Sequence, residues 1–270
     1  MLLCNIVSLI QKPIMNKRHR YISFVKLFPN IITLSSLCFG VLAVYHSTMM
    51  HWDRACFFII AAAIFDTLDG RFARMLNAHS NFGANLDSLC DFANYTIFPA
   101  MIVYNWSLWS DGIFGWSAVM VSSVCGAIRL ARFNVKDSIT QHPVKKRFFC
   151  GVPSPAAGIL IILPLIIQVG FGRMFNGISI QYPPCYLYEV YTCIVSFLMV
   201  GTFPTLSLKY LRIPKKYTGV TLVAIGFIII SFFIFKWKAV VFYSLLYIAL
   251  IPIVLLRYYT LLKRYNNEPR

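Results

Sequence analysis

The sequence predicts an all-α fold, a polytopic membrane bundle of about eight transmembrane helices with both termini cytoplasmic, and three observations lead there. Of its 270 residues 59% are hydrophobic and only 13% charged, with a mean hydropathy of +0.69, far more apolar than a water-soluble domain. About eight runs are long enough to cross roughly 30 Å of hydrocarbon, at approximately 31–50, 54–76, 84–105, 112–133, 154–174, 190–208, 218–236 and 239–262. Twenty-one of the 25 Lys and Arg residues fall on the side that holds the N-terminus, leaving Arg54, Arg173, Lys236 and Lys238 opposite. That asymmetry assigns the basic side to the cytoplasm and places the +16 charge against anionic headgroups rather than nucleic acid. A barrel is rejected, because runs such as 220–235 carry no alternation of polar and apolar positions.

In chain order, residues 1–27 form a lead-in, basic and amphipathic from about residue 12, of the kind that lies at an interface. Its charges follow the apolar stretch 1–10 instead of preceding it, the wrong order for a cleaved signal peptide. The membrane domain occupies 28–264, and Asn30 is expected to cap its first helix. The second and third spans carry acids and are joined by a polar turn at 76–80, so they are antiparallel neighbours. After the fourth span comes a basic cytoplasmic loop, 134–152, then four further spans and a polar tail, 265–270. Eight cysteines lack CxxC spacing and read as small packing residues, and five histidines form no zinc-ligand pattern. Asn94-Tyr95-Thr96 and Asn105-Trp106-Ser107 match a glycosylation pattern by chance, the first inside a membrane run. No internal repeat is visible.

The chain has nine acidic residues, and four of them, Asp66, Asp69, Asp87 and Asp91, lie in one short window inside or beside membrane helices. An aspartate near the centre of a membrane helix costs about 2.5–3.5 kcal/mol on insertion scales. Arg71 and Arg74 are too few to balance four carboxylates. Asp66 and Asp69 are spaced i, i+3 and Asp87 and Asp91 i, i+4, so each pair shares a helix face, and antiparallel helices bring both pairs to one cleft. Converging carboxylates make a site for two divalent metal ions, Mg²⁺ or Mn²⁺, with Ca²⁺ as a non-productive occupant, and paired cations beside a phosphate favour in-line displacement. Gly70, Ala73 and Gly83 leave room for a ligand or a neighbouring helix, and Arg74 offers donors to a pyrophosphate.

This window, FDTLDGRFARMLNAHSNFGANLDSLCD, resembles the D-x2-D-G-x2-A-R-x8-G-x3-D-x3-D signature of the CDP-alcohol phosphotransferase family at all its fixed positions. The resemblance implies a membrane enzyme that transfers a phosphatidyl group from a CDP-linked lipid to an alcohol with release of CMP. By the same resemblance Asp66, Asp69 and Asp87 bind metal, and Asp91 is both metal-adjacent and the catalytic general base. Gly70, Ala73, Arg74 and Gly83 would line the CDP-donor pocket, with Ser80, Asn30 and Thr33 beside them. Three further stretches, 28–43, 87–100 and 128–158, are similar to the phosphatidylserine synthase branch, which implies CDP-diacylglycerol and L-serine as substrates, membrane lipids as surroundings and a homodimer. Glycerol 3-phosphate or inositol phosphate are the alternative acceptors within the family. A transporter using its aspartates to bind a carried cation is the alternative outside it. Arg129 and Arg132, within a turn of each other, would bind the serine carboxylate or a donor phosphate, or else anchor the fourth span. The segment 93–96 departs from the family, where a more glycine-containing, apolar stretch is expected.

Overall fold

The computed structural model describes residues 24–76, 80–136, 149–172, 185–205 and 218–267. The basic lead-in before residue 24, the loop residues 137–148 and the last three residues of the tail lie outside the described residues. Among the described residues the regular structure is helical apart from one minimal pair of strands. Helices α1 (Phe24–Thr48) and α2 (Trp52–Met75) pack along each other, and α3 (Asn81–Phe92) lies against α1. A π-helical turn, Ala93–Ile97, leads into the short α4 (Phe98–Val103). The fourth long helix, α5 (Ile113–Lys136), packs on α8 (Cys185–Val200), and between them come α6 (Ser154–Ile161) and α7 (Leu163–Phe171). The strands β1 (Phe149–Cys150) and β2 (Pro204–Thr205) pair antiparallel, before α9 (Thr218–Phe235) and α10 (Trp237–Asn267) complete the chain.

Four of these helices are long and apolar enough to cross a membrane, and the bent pair α6–α7 makes a fifth. The eight expected runs therefore divide into two kinds. The segments 54–76 and 84–105 hold the acids, and the second of them is not one helix but α3, a π-turn, α4 and a second π-turn, Tyr104–Leu108. The expected span at 190–208 is displaced: α8 runs from Cys185 to Val200, and residues beyond Gly201 turn into β2. The first helix also begins earlier than expected. Asn30 sits inside α1 and caps nothing, because the helix starts at Phe24 and accommodates Pro29 in its second turn.

Proline explains both breaks in the core. Pro99 has no N–H, and its ring would meet the carbonyl of Tyr95 four residues back. The ladder widens just before it, with the Phe98 N–H bonding Ala93 O, a π-type bond. Pro164 does the same to Leu160, and the chain bends by 52° between α6 and α7. The carbonyl of Leu160, which Pro164 deprives of its helix donor, is met from elsewhere: the Tyr191 hydroxyl donates to it at 2.7 Å. Such repairs are required where no water reaches, since an unpaired backbone group in hydrocarbon costs several kcal/mol.

The core is formed by α6 and α7 with α2, α4 and α8 around them, and Ile161, Ile162, Leu165 and Ile166 are fully enclosed. By contrast α9 exposes apolar side chains on nearly every side, among them Val223 at 74% and Phe233 at 80%. A helix hydrophobic all round and yet uncovered by protein is a helix that faces lipid. Buried Cys56, Cys90 and Cys125 are unpaired thiols in packed helices, as expected. Asn94 is likewise enclosed, at 1% exposure, so the first glycosylation match is sterically closed.

Candidate active site

Three helices build the site, and α1 is the wall that the sequence reading underrated. Along α2, Asp66, Asp69, Gly70, Ala73 and Arg74 recur at helical spacing and form one stripe. Asp87 approaches from α3, and its carboxylate lies with those of Asp66 and Asp69 so that one oxygen from each falls within 4.8 Å of the others. Thr33 of α1, itself buried, donates its hydroxyl to Asp69 Oδ2 at 2.5 Å, which fixes the most enclosed of the four acids.

The stripe opens on a cavity of about 240 Å³ lined by Pro29, Asn30, Thr33, Asp69, Gly70, Ala73, Arg74, Ser80, Gly83, Ala84 and Asp87. All seven residues expected around the nucleotide are brought together there. The two glycines do different things. A Cβ at Gly70 would meet nothing within 4 Å, so that position keeps space open for a ligand. A Cβ at Gly83 would fall 2.8 Å from Asn30 Oδ1 and 3.1 Å from Ser80 Oγ, so Gly83 serves the close approach of α3 to α1. Ser80 is the N-cap of α3 and accepts from the Gly83 N–H at 2.9 Å, which points the start of that helix at the cavity. An N-terminal helix end lined by Arg74 suits an anion.

Asp91 stands apart from this trio. It lies one turn further along α3, and its Oδ1 is enclosed without a partner. Asp66 Oδ1 is enclosed and unpartnered as well. Enclosed carboxylate oxygens with no donor in reach leave coordination to be completed, and hard oxygen ligands at this spacing fit Mg²⁺ or Mn²⁺.

One residue of the site was missed. Tyr95, 2% exposed, donates its hydroxyl to Asp66 Oδ2 at 2.8 Å from the π-turn. The only signal was the polar departure at 93–96, and a sequence cannot show that a π-turn will rotate one of those side chains back onto α2.

Arg129 and Arg132 lie at the far end of α5. Arg129 donates through Nε to Val152 O at 3.1 Å and through a terminal nitrogen to Ser154 Oγ. Arg132 donates to Val200 O at 2.6 Å, the last carbonyl of α8. Neither lines the cavity that holds Asp69 and Asp87.

The neighbouring stripe of α2, Ile60, Ala63, Ile64, Thr67, Leu68 and Arg71, faces a second and larger cavity of about 610 Å³. Its other walls are Pro155, Ala156, Ile159 and Leu160 of α6, Phe232 of α9, and Val240, Tyr243, Ser244 and Tyr247 of α10. One helix thus carries a polar site on one face and an apolar groove with Arg71 near its end on the next.

Comparison with known proteins shows what the chain is similar to. A family model described as CDP-alcohol phosphatidyltransferase matches residues 26–182. A Mycobacterium tuberculosis protein named CDP-diacylglycerol–serine O-phosphatidyltransferase is 33% identical over 205 residues, covering 75% of this chain and 68% of its own length. Proteins of the same name from Helicobacter pylori and Bacillus subtilis are 36% identical over 142 residues and 32% identical over 174, covering 53% and 64% of this chain and 58% and 86% of their own lengths.

Proposed function

The chain belongs to the CDP-alcohol phosphatidyltransferase family, and we propose that it transfers the phosphatidyl group of CDP-diacylglycerol to the hydroxyl of L-serine, giving phosphatidylserine and CMP. The observation that carries the reading is the gathering of Asp66, Asp69 and Asp87 beside one cavity with Asn30, Thr33, Gly70, Ala73, Arg74, Ser80 and Gly83. In this reading the cavity takes the cytidine diphosphate. The groove on the neighbouring stripe of α2 suits hydrocarbon, which supports a diacylglycerol donor. Serine as acceptor is supported by the names of relatives at 32–36% identity.

Asp66, Asp69 and Asp87 would hold two divalent ions, with Asp91 completing the set, and the ions would neutralise charge on the pyrophosphate as it is cleaved. Asp91 takes the proton of the serine hydroxyl as the oxygen attacks the β-phosphorus, and the bond to CMP breaks. Arg74 steadies the departing nucleotide's phosphate through its guanidinium donors. Arg129 and Arg132 shape the serine side through the 151–154 turn and the end of α8 that they hold. We further propose the finer membrane arrangement: residues 28–264 as one domain of eight spans, both termini and the site on the cytoplasmic face of the inner membrane, and a homodimer.

Membranes containing the chain, supplied with radiolabelled serine, should form labelled phosphatidylserine only when CDP-diacylglycerol is added. Chelation with EDTA should abolish the product, and Mg²⁺ or Mn²⁺ should restore it. Labelled glycerol 3-phosphate or inositol phosphate entering lipid in place of serine would reassign the acceptor. Turnover in a metal-free preparation would remove the two-ion scheme.

A further inference from the structure

The carboxylate of Asp66 has two oxygens in different circumstances. Oδ2 accepts from the Tyr95 hydroxyl at 2.8 Å, whereas Oδ1 is enclosed and has no partner. A carboxylate on a helix can rotate about its last bond and tilt its plane away from neighbouring ligands, unless a donor holds one of its oxygens. Tyr95 is that donor, and its own position is fixed from three sides. It is 2% exposed, and Asn94 and Thr96 on either side of it are each 1% exposed.

Each of those three residues sits against a glycine of a different helix. A Cβ at Gly40 of α1 would lie 2.2 Å from Asn94 Oδ1, and one at Gly126 of α5 would lie 2.3 Å from Thr96 Cγ2. A Cβ at Gly158 of α6 would lie 3.0 Å from Tyr95 Cα and 3.1 Å from its carbonyl oxygen. The Asn94 amide also donates to Ser36 Oγ of α1 at 2.6 Å. The π-turn is therefore clamped by its surroundings, and the clamp determines where the Tyr95 hydroxyl points.

We propose that Tyr95 is a positioning residue of the reaction centre: its hydroxyl holds Asp66 Oδ2, and so sets the orientation of the Asp66 carboxylate within the trio it forms with Asp69 and Asp87. Tyr95 acts through Asp66 and touches no substrate. The inference rests on the metal-binding reading of Asp66. It adds a residue that hydrogen-bonds a ligand, and removal of such outer partners commonly weakens metal affinity on the order of 10–100-fold. A tyrosine that merely satisfies its hydroxyl in a packed interior would leave metal affinity unchanged.

Tyr95→Phe removes one oxygen and preserves the ring, so it separates the two roles. Free Mn²⁺ is measured by electron paramagnetic resonance during titration of detergent-solubilised wild type, Tyr95→Phe, Asp66→Asn and the double variant, without substrate. Wild type is expected to bind Mn²⁺ in an Asp66-dependent manner, and Tyr95→Phe about ten-fold or more weakly. The double variant should bind no more weakly than Asp66→Asn alone, because the tyrosine has nothing left to position. Gly158→Ala, which keeps the hydroxyl but presses on the Tyr95 backbone, should weaken Mn²⁺ binding in the same direction. If Tyr95→Phe fails to fold, that glycine variant carries the test. Wild-type Mn²⁺ affinity in a folded Tyr95→Phe, or in Gly158→Ala should the tyrosine variant not fold, overturns this inference alone. Absence of Asp66-dependent binding in the wild type overturns it together with the metal reading.

Discussion

At the scale of single residues, the four acids are not equivalent. Asp69 is tied to Thr33, Asp66 to Tyr95, and Asp91 has an enclosed oxygen with no donor near it. A base must be free to accept a proton, and Asp91 meets that condition better than Asp69. Asp91→Asn keeps size and some ligand capacity but cannot take the proton. It is expected to lower turnover about 10²–10⁴-fold while leaving CDP-diacylglycerol affinity within several-fold of wild type. Asp69→Asn and Asp66→Asn should instead weaken metal-dependent donor binding. Calorimetric donor affinities measured beside turnover decide it, and equal loss of donor binding in all three variants would cancel the separate role of Asp91. These acids and their shared face could be read from spacing alone. The partners Thr33 and Tyr95 could not be assigned that way, because the first acts across helices and the second through a π-turn, and no periodicity encodes either contact.

At the scale of elements, the sequence marks helices by their apolar length and misses where they break. The limits of α9 and α10 came within about five residues of expectation, since charge lies near their ends and α10 runs through Pro252 without a break. The spans at 84–105 and 154–174 looked continuous because Pro99 and Pro164 are apolar by composition, while their effect is on the backbone carbonyl four residues earlier. The end of α8 was misplaced for a related reason: its last carbonyl is held by Arg132 from another helix, which local sequence does not reveal. That bond gives a prediction. Arg132→Ala should destabilise the fold by about 1.5–3 kcal/mol, the usual cost of losing a charged hydrogen bond, visible as a lower thermal midpoint. Arg129→Ala should raise KM for serine or lower kcat. Unaltered kinetics for serine and donor in both variants would leave the pair as anchors of the 151–154 turn and the α8 terminus.

At the scale of the whole molecule, the polar site and the apolar groove are two adjacent stripes of α2, and membrane orientation decides which solution the first one meets. The uneven distribution of Lys and Arg supports the proposal that it faces the cytoplasm, where CMP would be released into water. A reporter fused after Arg270 should read as cytoplasmic, and a reporter in the loop holding Arg173 as external. The same side for both would mean an even number of crossings between them has replaced the odd number proposed. Acceptor choice is not legible in a charge count, because it depends on the shape of a pocket wall.

The repaired carbonyl of Leu160 bears on biogenesis. Its donor, Tyr191, lies 31 residues later, on a helix still within the ribosome when α6 and α7 emerge from it. Until α8 arrives, the kinked segment carries an exposed polar group that lipid cannot satisfy. Partitioning of this segment into the bilayer is therefore expected to wait for α8, so that insertion and tertiary folding are a single event for this part of the chain. A nascent chain truncated at residue 184 should leave 154–171 accessible to added protease, while the full chain protects it. Full protection in the truncated chain would mean the carbonyl finds its hydrogen bond without Tyr191.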